Sequence, residues 1–316
     1  GIGQFGTREF GGKDAASPRY ISVRLAAPYA RAVFPPEDLC LLPHVFEDGE
    51  RAQPAYFLPV LPAALLESFE IPSEGWKHKC VARDLAQVAA LLRAFLGGDP
   101  LLLRLAAAAG EGPLGAQPAL RTEAGAADVA ELRARFPLEP SLEGYGAGLG
   151  GPERSSLIRP YRGQPHSFGY YTPESLPGGR KVLRVSELPF GLSTEAFLRN
   201  LRKPPRAQHI REVLDESSGA EIDISVFLEA GAWERIADGY GDAGVDPVEQ
   251  FCLLYSSLRP FLNFFGARGQ VLEFDDDYHA LFFHWLPLRR DLYGERLRRE
   301  ATLLALRIRL EREVLR

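Results

Sequence analysis

Residues 11–20, GGKDAASPRY, contain the two adjacent side chains of this sequence that are best suited to chemistry. A glycine-rich polar stretch leads to Arg19, which carries a permanent charge on a planar group, and then to the phenol of Tyr20. A phenol beside a fixed positive charge can be a chemical pair or a packing contact. A tyrosine that begins a strand is usually structural, so both interpretations stay open at this point.

A second polar cluster, EFDDDYH, is a weaker candidate for chemistry. It contains Asp275, Asp276, Asp277 and His279, but three consecutive acids on a helix cannot all face one ion. Acids just before a helical segment instead suit the positive end of the helix dipole. We therefore predict no metal site here. The sequence has no Ser-His-Asp or His-x-x-x-His spacing and no glycine-rich loop for nucleotide phosphates, so ATP, if used, is expected to bind elsewhere.

Composition limits the class of protein. The 316 residues are 46% hydrophobic, enough for two or three packed units. No apolar run approaches the ~18 residues of a membrane span, so no membrane partner is expected. The cysteines are odd in number and widely separated, which predicts neither disulfides nor zinc and favours a reducing compartment: Cys40, Cys80 and Cys252. A start at Gly1 and the lack of methionine suggest a piece of a longer chain.

Charge is distributed in patches along the chain. The formal net charge is -5, which by itself disfavours a nucleic-acid partner. Residues 1–35, however, carry an excess of three positive charges, and residues 289–316 contain nine arginines against five acids. A polyanion interacts with the local patch rather than with the total, so a nucleic-acid partner remains possible.

Periodic apolar residues predict the elements that position these groups. Residues 1–18 are expected to form a loop, and alternation from Tyr20 to Leu25 predicts a strand. Residues 83–96 predict a helix stopped by glycines, and residues 180–190 and 221–228 predict strands. A helix is expected from Ser193 or Thr194. Residues 105–155 resemble an insertion or linker, with one helical part, AADVAELRARF.

The C-terminal residues predict a long helix. From Leu297, apolar residues follow steps of four and three through Leu304 and Ile308, with arginines on the other faces. This spacing is typical of a coiled-coil arm. An ordinary surface helix is the alternative.

The segment IGQFGTREFGGKDAASPRY, residues 2–20, resembles the active-site segment of the eukaryotic-type type IIA DNA topoisomerases. That family has the pattern G-Q-F-G-T-R, then G-G-K-D, then S-P-R-Y. The resemblance continues through ARAVFPPEDLCLL, FEDGERAQPAYFLPVLP, PYRG and SELP. It covers most of the chain apart from about 101–155, where extra sequence is expected.

The resemblance implies a role for each residue of the segment. Tyr20 would attack a DNA phosphodiester and become joined to the 5′-phosphate, and Arg19 would stabilise charge on the phosphorus oxygens. A phenol is a reasonable leaving group, so the DNA 3′-hydroxyl could reverse the step. The groups expected to position phosphates are Arg8, Lys13 and the backbone amides of Gly11 and Gly12.

One segment departs from the family pattern. Where the family has N-G-x-x-G-I-G-T-G-W, with an isoleucine that pushes between base pairs, this chain has ESFEIPSEGW at residues 67–76. Ile71 lies one position early and Pro72 takes the wedge position, so either is a candidate DNA-binding wedge. Glu67, Glu70 and Glu74 add negative charge, which is expected to weaken DNA bending.

The sequence thus predicts an α+β fold from a DNA topoisomerase II breakage-reunion region. The expected parts are the end of a winged-helix domain (1–60), an α/β tower domain (61–282, with an insertion at about 101–155) and the start of a coiled-coil arm (283–316). The partners would be double-stranded DNA and a second copy in a homodimer, in the nucleus. Mg²⁺ on a Toprim domain and ATP on an ATPase domain, both outside this chain, would support strand passage. The alternative is a diverged, non-catalytic DNA-binding or architectural relative.

Overall fold

The computed structural model of the protein describes residues 1–24, 26–73, 75–108, 125–142, 157–218, 221–266, 270–274 and 276–315. The chain divides into two compact units. The first combines Gly1–Arg24 with Pro140–Arg259, and the second combines Leu25–Glu139 with Pro260–Arg316. Each unit is therefore assembled from two stretches that are distant in sequence. The predicted domain limits at residues 60 and 282 follow the family resemblance rather than these units, and they stay a prediction.

The described residues form both helices and strands. The helices are α1 (Ala27–Val33), α2 (Pro36–Leu39), α3 (Ala63–Leu66), α4 (Leu85–Leu96), α5 (Pro100–Ala108), α6 (Ala126–Arg135), α7 (Thr194–Leu201), α8 (Ala232–Gly239), α9 (Pro247–Cys252) and α10 (Tyr278–Val314). The strands are β1 (His44–Glu47), β2 (Glu50–Pro54), β3 (Phe69–Ser73), β4 (Trp76–Cys80), β5 (Leu157–Tyr161), β6 (Gln164–Phe168), β7 (Tyr170–Ser175), β8 (Lys181–Glu187), β9 (Ile210–Asp215), β10 (Ile224–Leu228), β11 (Tyr255–Ser257), β12 (Asn263–Phe265) and β13 (Val271–Glu273).

The first unit is built on two antiparallel sheets. One has the strand order β7-β8-β10-β9 and the other β11-β6-β5. The strands predicted over 180–190 and 221–228 are confirmed as β8 and β10. Ile224, Val226 and Leu228 are buried as the alternation predicts, and Ser225 between them is buried too. The second face of β10 is thus covered at Ser225 and half-buried at Phe227.

Helix α7 begins where the sequence predicts. The Ser193 hydroxyl accepts a hydrogen bond from the Ala196 N–H over 3.2 Å, which identifies Ser193 as the N-cap. Phe197 and Leu201 then point from α7 into the core of the first unit, which they share with β8 and β10. The start of α7 is thereby fixed by a hydrogen bond and its inner face by apolar packing.

The second unit contains the helix predicted over 83–96. Asp84 accepts a hydrogen bond from the Gln87 N–H over 2.8 Å and caps the start of α4, and Gly97 is the C-cap after Leu96. The expected insertion at about 101–155 is only partly a linker, because its described residues include α5 and α6. Four of their leucines belong to the core of the second unit: Leu101, Leu102, Leu105 and Leu132. The helix predicted from AADVAELRARF is confirmed as α6.

Helix α10 is the longest element of the second unit. The Asp277 carboxylate accepts hydrogen bonds from the backbone N–H groups of His279 (2.9 Å) and Ala280 (3.2 Å), so an acid caps the helix start as predicted. The helix is buried as far as Leu292, and its apolar residues from Leu297 onward are exposed. Within the predicted arm, Phe283, Trp285, Leu286 and Leu292 therefore pack in the core of the second unit. The coiled-coil arm beyond them and its surface-helix alternative both stay predictions. No described helix has the length and apolar character to cross a membrane.

The buried imidazole of His279 makes the stability of the second unit depend on pH. Its Nε2–H donates to the Phe136 carbonyl over 2.8 Å, and burial lowers the pKa of the ring below its ordinary value of 6.5. The unfolded state therefore takes up the proton first as the solution is acidified. We expect this contribution to be complete above about pH 6.5 and to be lost as the pH falls through the folded-state pKa.

The measurement is the free energy of unfolding in urea at about pH 7.5 and about pH 5.5 for the wild type and His279→Gln. The variant cannot take up this proton, so it should lose less stability on acidification than the wild type. Equal losses in the two proteins would contradict the assignment of His279.

Candidate functional site

Tyr20 lies at the end of a 3₁₀ turn, Pro18–Tyr20, in the first unit. Its N–H donates to the Ser17 carbonyl over 2.9 Å. The strand predicted from Tyr20 to Leu25 is wrong, because the described residues there form only an isolated bridge between Ile2 and Ser22. Proline at position 18 fixes the backbone in a turn-compatible φ, which the apolar alternation could not indicate. Leu25 lies outside the described residues.

The side chains of Arg19 and Tyr20 lie side by side on the surface of the first unit. Tyr20 is 70% exposed, Arg19 is exposed as well, and the guanidinium carbon lies 5.1 Å from the centre of the phenol ring. This distance is within the range of a cation–π contact. In a regular strand the two neighbours would point to opposite faces, and the turn removes that obstacle. A phosphate group arriving from solvent could therefore reach both side chains.

The loop before Tyr20 is folded by its own residues. The Thr7 N–H and hydroxyl donate to the two carboxylate oxygens of Asp14, each over 2.8 Å. These hydrogen bonds, first of all that from the Thr7 N–H, lower the pKa of the Asp14 carboxyl. Gly6 must be glycine, because a Cβ at this position would lie 2.6 Å from the Cα of Gly12. The GTR and GGKD segments are thus folded against each other.

The backbone amides of Gly11 and Gly12, expected to position phosphates, have acceptors inside the loop. The Gly11 N–H donates to the Arg8 carbonyl over 3.3 Å, and the Gly12 N–H donates to the Thr7 carbonyl over 3.0 Å. Gly11 has φ +61°, and a Cβ there would lie 3.1 Å from the Cβ of Ser193. Gly12 also has a positive φ, +82°, so the left-handed backbone explains both glycines, and their expected phosphate contact stays a prediction.

Arg8 and Lys13 have different surroundings. The Arg8 guanidinium forms an ion pair with Glu187, whose side chain is only 6% exposed, and it donates to the Leu188 carbonyl over 3.4 Å. Lys13 is 63% exposed and lies 3.4 Å from Glu195, a pairing that water weakens strongly. Lys13 is therefore placed as a phosphate-binding residue needs to be. Arg8 is held within the protein.

The segment ESFEIPSEGW, which differs from the family pattern, forms part of a β-hairpin of the second unit. Strands β3 and β4 pair antiparallel, with Ile71 opposite His78 and Pro72 opposite Lys77. Successive side chains of a strand point to opposite faces, so the two wedge candidates lie on different faces of the hairpin. Ile71 is 52% exposed and shares its face with Trp76, which is also exposed. Pro72 lies on the face of Lys77.

Two of the acids in this segment have partners. Glu70 forms an ion pair with Lys77 across the hairpin, with 2.8 Å between the charged atoms. Glu67 accepts a hydrogen bond from the Tyr29 hydroxyl, and this contact raises the pKa of Tyr29 to about 12. Glu74 lies outside the described residues. The negative charge predicted to oppose DNA is thus offset at Glu70 by a lysine across the hairpin.

The described residues contain no group of three or more His, Cys, Asp or Glu side chains that could hold a metal ion. Of the polar cluster EFDDDYH, Asp277 caps α10 and His279 is buried, while Asp275 lies outside the described residues. Arg8, Lys13, Arg19 and Tyr20 belong to the first unit, and the hairpin belongs to the second. Glu187, which sequence reasoning did not select, contacts the loop through Arg8.

Comparison with known proteins shows which proteins this chain is similar to. Residues 1–108 match the family model for the A subunit of DNA gyrase/topoisomerase IV. The fold resembles a crystal structure of the DNA-binding, cleavage and re-ligation domain of Plasmodium falciparum topoisomerase II. That likeness has a TM-score of 0.66 and 19% identity, and it covers 93% of this chain and 33% of the other. The predicted α+β fold class is confirmed.

Sequence relatives narrow the class further. The chain is 36% identical over 318 residues to DNA topoisomerase 2 of African swine fever virus, strain Badajoz 1971 Vero-adapted, covering all of this chain and 24% of the relative. It is 42% identical over 98 residues to mouse DNA topoisomerase 2-alpha, covering 31% of this chain and 6% of that protein. The predicted resemblance to the eukaryotic-type type IIA DNA topoisomerases is therefore confirmed. The alignment with the viral protein includes residues 101–155, and the chain spans about a quarter of the length of that protein.

Proposed function

We propose that this chain is the DNA breakage and rejoining region of a type II topoisomerase and that Tyr20 is its nucleophile. The observation that carries the proposal is the exposed phenol of Tyr20 beside the guanidinium of Arg19, at the end of a folded loop. The similarity along the whole chain to proteins named DNA topoisomerase 2 supports it. Its exposure leaves the phenol accessible to a phosphate that arrives from solvent.

The step proposed for Tyr20 is a phosphoryl transfer. Its hydroxyl oxygen, having given up its proton, attacks a backbone phosphorus of DNA, and the bond from phosphorus to the 3′-oxygen breaks. The electron pair leaves with the 3′-oxygen, which takes up a proton. The DNA 5′-phosphate is then an ester of Tyr20, and the reverse attack by the 3′-hydroxyl restores the strand.

Arg19 would stabilise the negative charge that develops on the phosphate oxygens, because its guanidinium is permanently charged and planar. Lys13, exposed in the same unit, would hold a neighbouring phosphate. Mg²⁺ bound by a Toprim domain outside this chain would supply further neutralisation of charge at the phosphate.

The remaining parts of the proposal concern the whole protein. ATP-dependent passage of one duplex through another, a homodimer in which each copy cuts one strand, and a nuclear location all come from the family resemblance. The predicted winged-helix, tower and coiled-coil assignments have the same basis. This chain is proposed to supply the tyrosine and part of the DNA surface and to depend on other domains for cleavage.

The experiment that tests the proposal traps the covalent product. The full-length protein is incubated with supercoiled DNA and Mg²⁺, denatured with detergent and digested with nuclease. We expect the peptide containing Tyr20 to carry a nucleotide through its 5′-phosphate, and we expect free 3′-hydroxyls that a polymerase extends. Attachment at a 3′ end, or at another residue, would overturn the assignment.

A diverged, non-catalytic DNA-binding relative is the second candidate function. The glutamates of residues 67–74 favour it, because the family has no such acids where DNA approaches. The ion pair of Glu70 with Lys77 offsets part of this charge. If the candidate is correct, the full-length protein will bind DNA but form no covalent product in the trapping experiment.

The hairpin supplies a prediction about DNA bending. We expect Ile71→Ala to reduce DNA bending and cleavage about 10-fold, because an exposed apolar side chain beside Trp76 can unstack a base step. Pro72→Ala is the matched control, since Pro72 is the next residue but faces Lys77, and its effect should stay under about 2-fold. Energy transfer between dyes at the two DNA ends measures the bend. A larger loss in Pro72→Ala would identify Pro72 as the wedge.

A further inference from the structure

An ion pair between the half-buried Arg8 and the buried Glu187 attaches the loop that precedes Tyr20 to the sheet of the first unit. Glu187, at the end of β8, is 4% exposed, and its carboxylate contacts the Arg8 guanidinium and accepts a hydrogen bond from the Leu188 N–H over 2.8 Å. Arg8 and Glu187 are 179 residues apart in sequence. The carboxylate of Glu187 has lost most of its water, so removing Arg8 leaves a buried charge uncompensated and costs more than breaking an exposed pair.

The residues on either side of Arg8 extend this attachment. Thr7 donates twice to Asp14, which lies in the second half of the loop. Glu9 accepts a hydrogen bond through its carbonyl from the Glu195 N–H over 2.9 Å, at the start of α7. Each of three consecutive residues therefore has its own contact: Thr7 with Asp14, Arg8 with Glu187 and Glu9 with Glu195. A displacement of Arg8 would move both halves of the loop that ends at Tyr20.

We propose that Glu187 is a positioning residue for Tyr20 and that it acts through Arg8. This inference rests on the proposed role of Tyr20 as the nucleophile. It gives Arg8 a different role from the phosphate contact predicted from the sequence. The carboxylate of Glu187 keeps the guanidinium inside the protein, and the fixed loop in turn sets the place of the phenol.

The first measurement does not depend on catalysis. In the full-length protein without DNA, hydrogen–deuterium exchange is followed at the amides of Gly12 and Ala16, which donate to carbonyls within the loop over 3.0 Å. Glu187→Gln should accelerate this exchange at least about 10-fold, while β8 and β10 stay protected. Glu174→Gln is the matched control, because Glu174 forms an exposed pair with Arg184 in the same unit, and it should change nothing.

The second measurement uses DNA. Glu187→Gln and Arg8→Gln should each lower the rate of covalent complex formation at least about 10-fold, with DNA affinity and its salt dependence unchanged. The double variant should be no slower than either single one, since both act through the same contact. If Glu187→Gln does not fold, Arg8→Lys, which keeps the charge but loses the planar donors, should show the same changes to a smaller extent.

Three results would overturn the inference. One is loop exchange in Glu187→Gln equal to that of the wild type. The second is an Arg8→Gln variant whose salt slope for DNA binding falls by about one, which would identify Arg8 as a phosphate contact. The third is additive losses in the double variant. If the wild type forms no covalent product at all, the proposed function fails, and the exchange result alone still decides whether Glu187 anchors the loop.

Discussion

Tyr20→Phe is expected to lower the formation of protein-linked DNA by at least about 10⁴-fold, because phenylalanine lacks the one atom that would join to phosphorus. The ring, its exposure and the contact with Arg19 are retained, so DNA affinity should stay within about 2-fold of the wild type. The measurement is the fraction of supercoiled DNA linked to protein after a detergent quench in the presence of Mg²⁺. DNA affinity is measured in parallel on the same preparation.

Tyr170→Phe is the matched control for this substitution. Tyr170 belongs to the same unit and is 63% exposed, close to the 70% of Tyr20, so both variants remove a hydroxyl from a solvent-facing ring. We expect the control to form covalent complexes at the wild-type rate. If Tyr20→Phe still yields protein-linked DNA, or if both variants lose activity equally, Tyr20 is not the nucleophile.

The elements that the sequence predicts well are those whose apolar period is regular. Helix α4 and strands β8 and β10 are confirmed, because their buried residues repeat at the spacing of a helix or a strand. The start of α7 is confirmed for a different reason, since the Ser193 side chain accepts the capping hydrogen bond. The strand predicted at Tyr20 fails for the opposite reason. Val23, one of its alternating apolar residues, is 78% exposed rather than packed in a core, and local turn geometry decides the backbone.

The candidate site is predictable only in part, because its contacts join distant positions. The resemblance selects Arg19 and Tyr20 as neighbours, but no local pattern pairs Arg8 with Glu187. The SELP segment could have pointed to Glu187, since an acid that follows Leu183 and Val185 at alternate positions of a buried strand needs a partner. The sequence alone could not choose between Ile71 and Pro72 as the wedge. The pairing of β3 with β4 shows that their side chains lie on opposite faces of the hairpin.

Arg289→Met is expected to destabilise the second unit by about 3–5 kcal/mol, because it leaves the carboxylate of Asp38 buried with less compensation. Arg289 of α10 and Asp38 of α2 are each only 3% exposed, and their charged atoms lie 2.7 Å apart. The contact is too poorly aligned for a hydrogen bond at Asp38, so it acts as two close charges. Arg289 also donates to the Leu58 carbonyl over 3.3 Å. Urea unfolding of the wild type and the variant measures the loss.

The control for this prediction is Arg296→Met. Arg296 donates a hydrogen bond to the other carboxylate oxygen of Asp38 over 3.4 Å, but it is 28% exposed and also pairs with Glu300, so its loss should cost less than that of Arg289, about 1–2 kcal/mol. A loss of similar size in both variants would contradict the view that burial of Arg289 sets the effect.

Replacing both members of the buried pair separates the cost of an unpaired charge from the value of the pair. Asp38→Leu combined with Arg289→Met removes both buried charges and fills their space with apolar atoms, so it should recover most of the stability lost in Arg289→Met. If the double variant is as unstable as the single one, the ion pair itself holds the buried half of α10 against α2. If it recovers, apolar packing along Phe282, Phe283 and Leu286 is sufficient, and the pair serves to fix the register of the helix rather than to stabilise it.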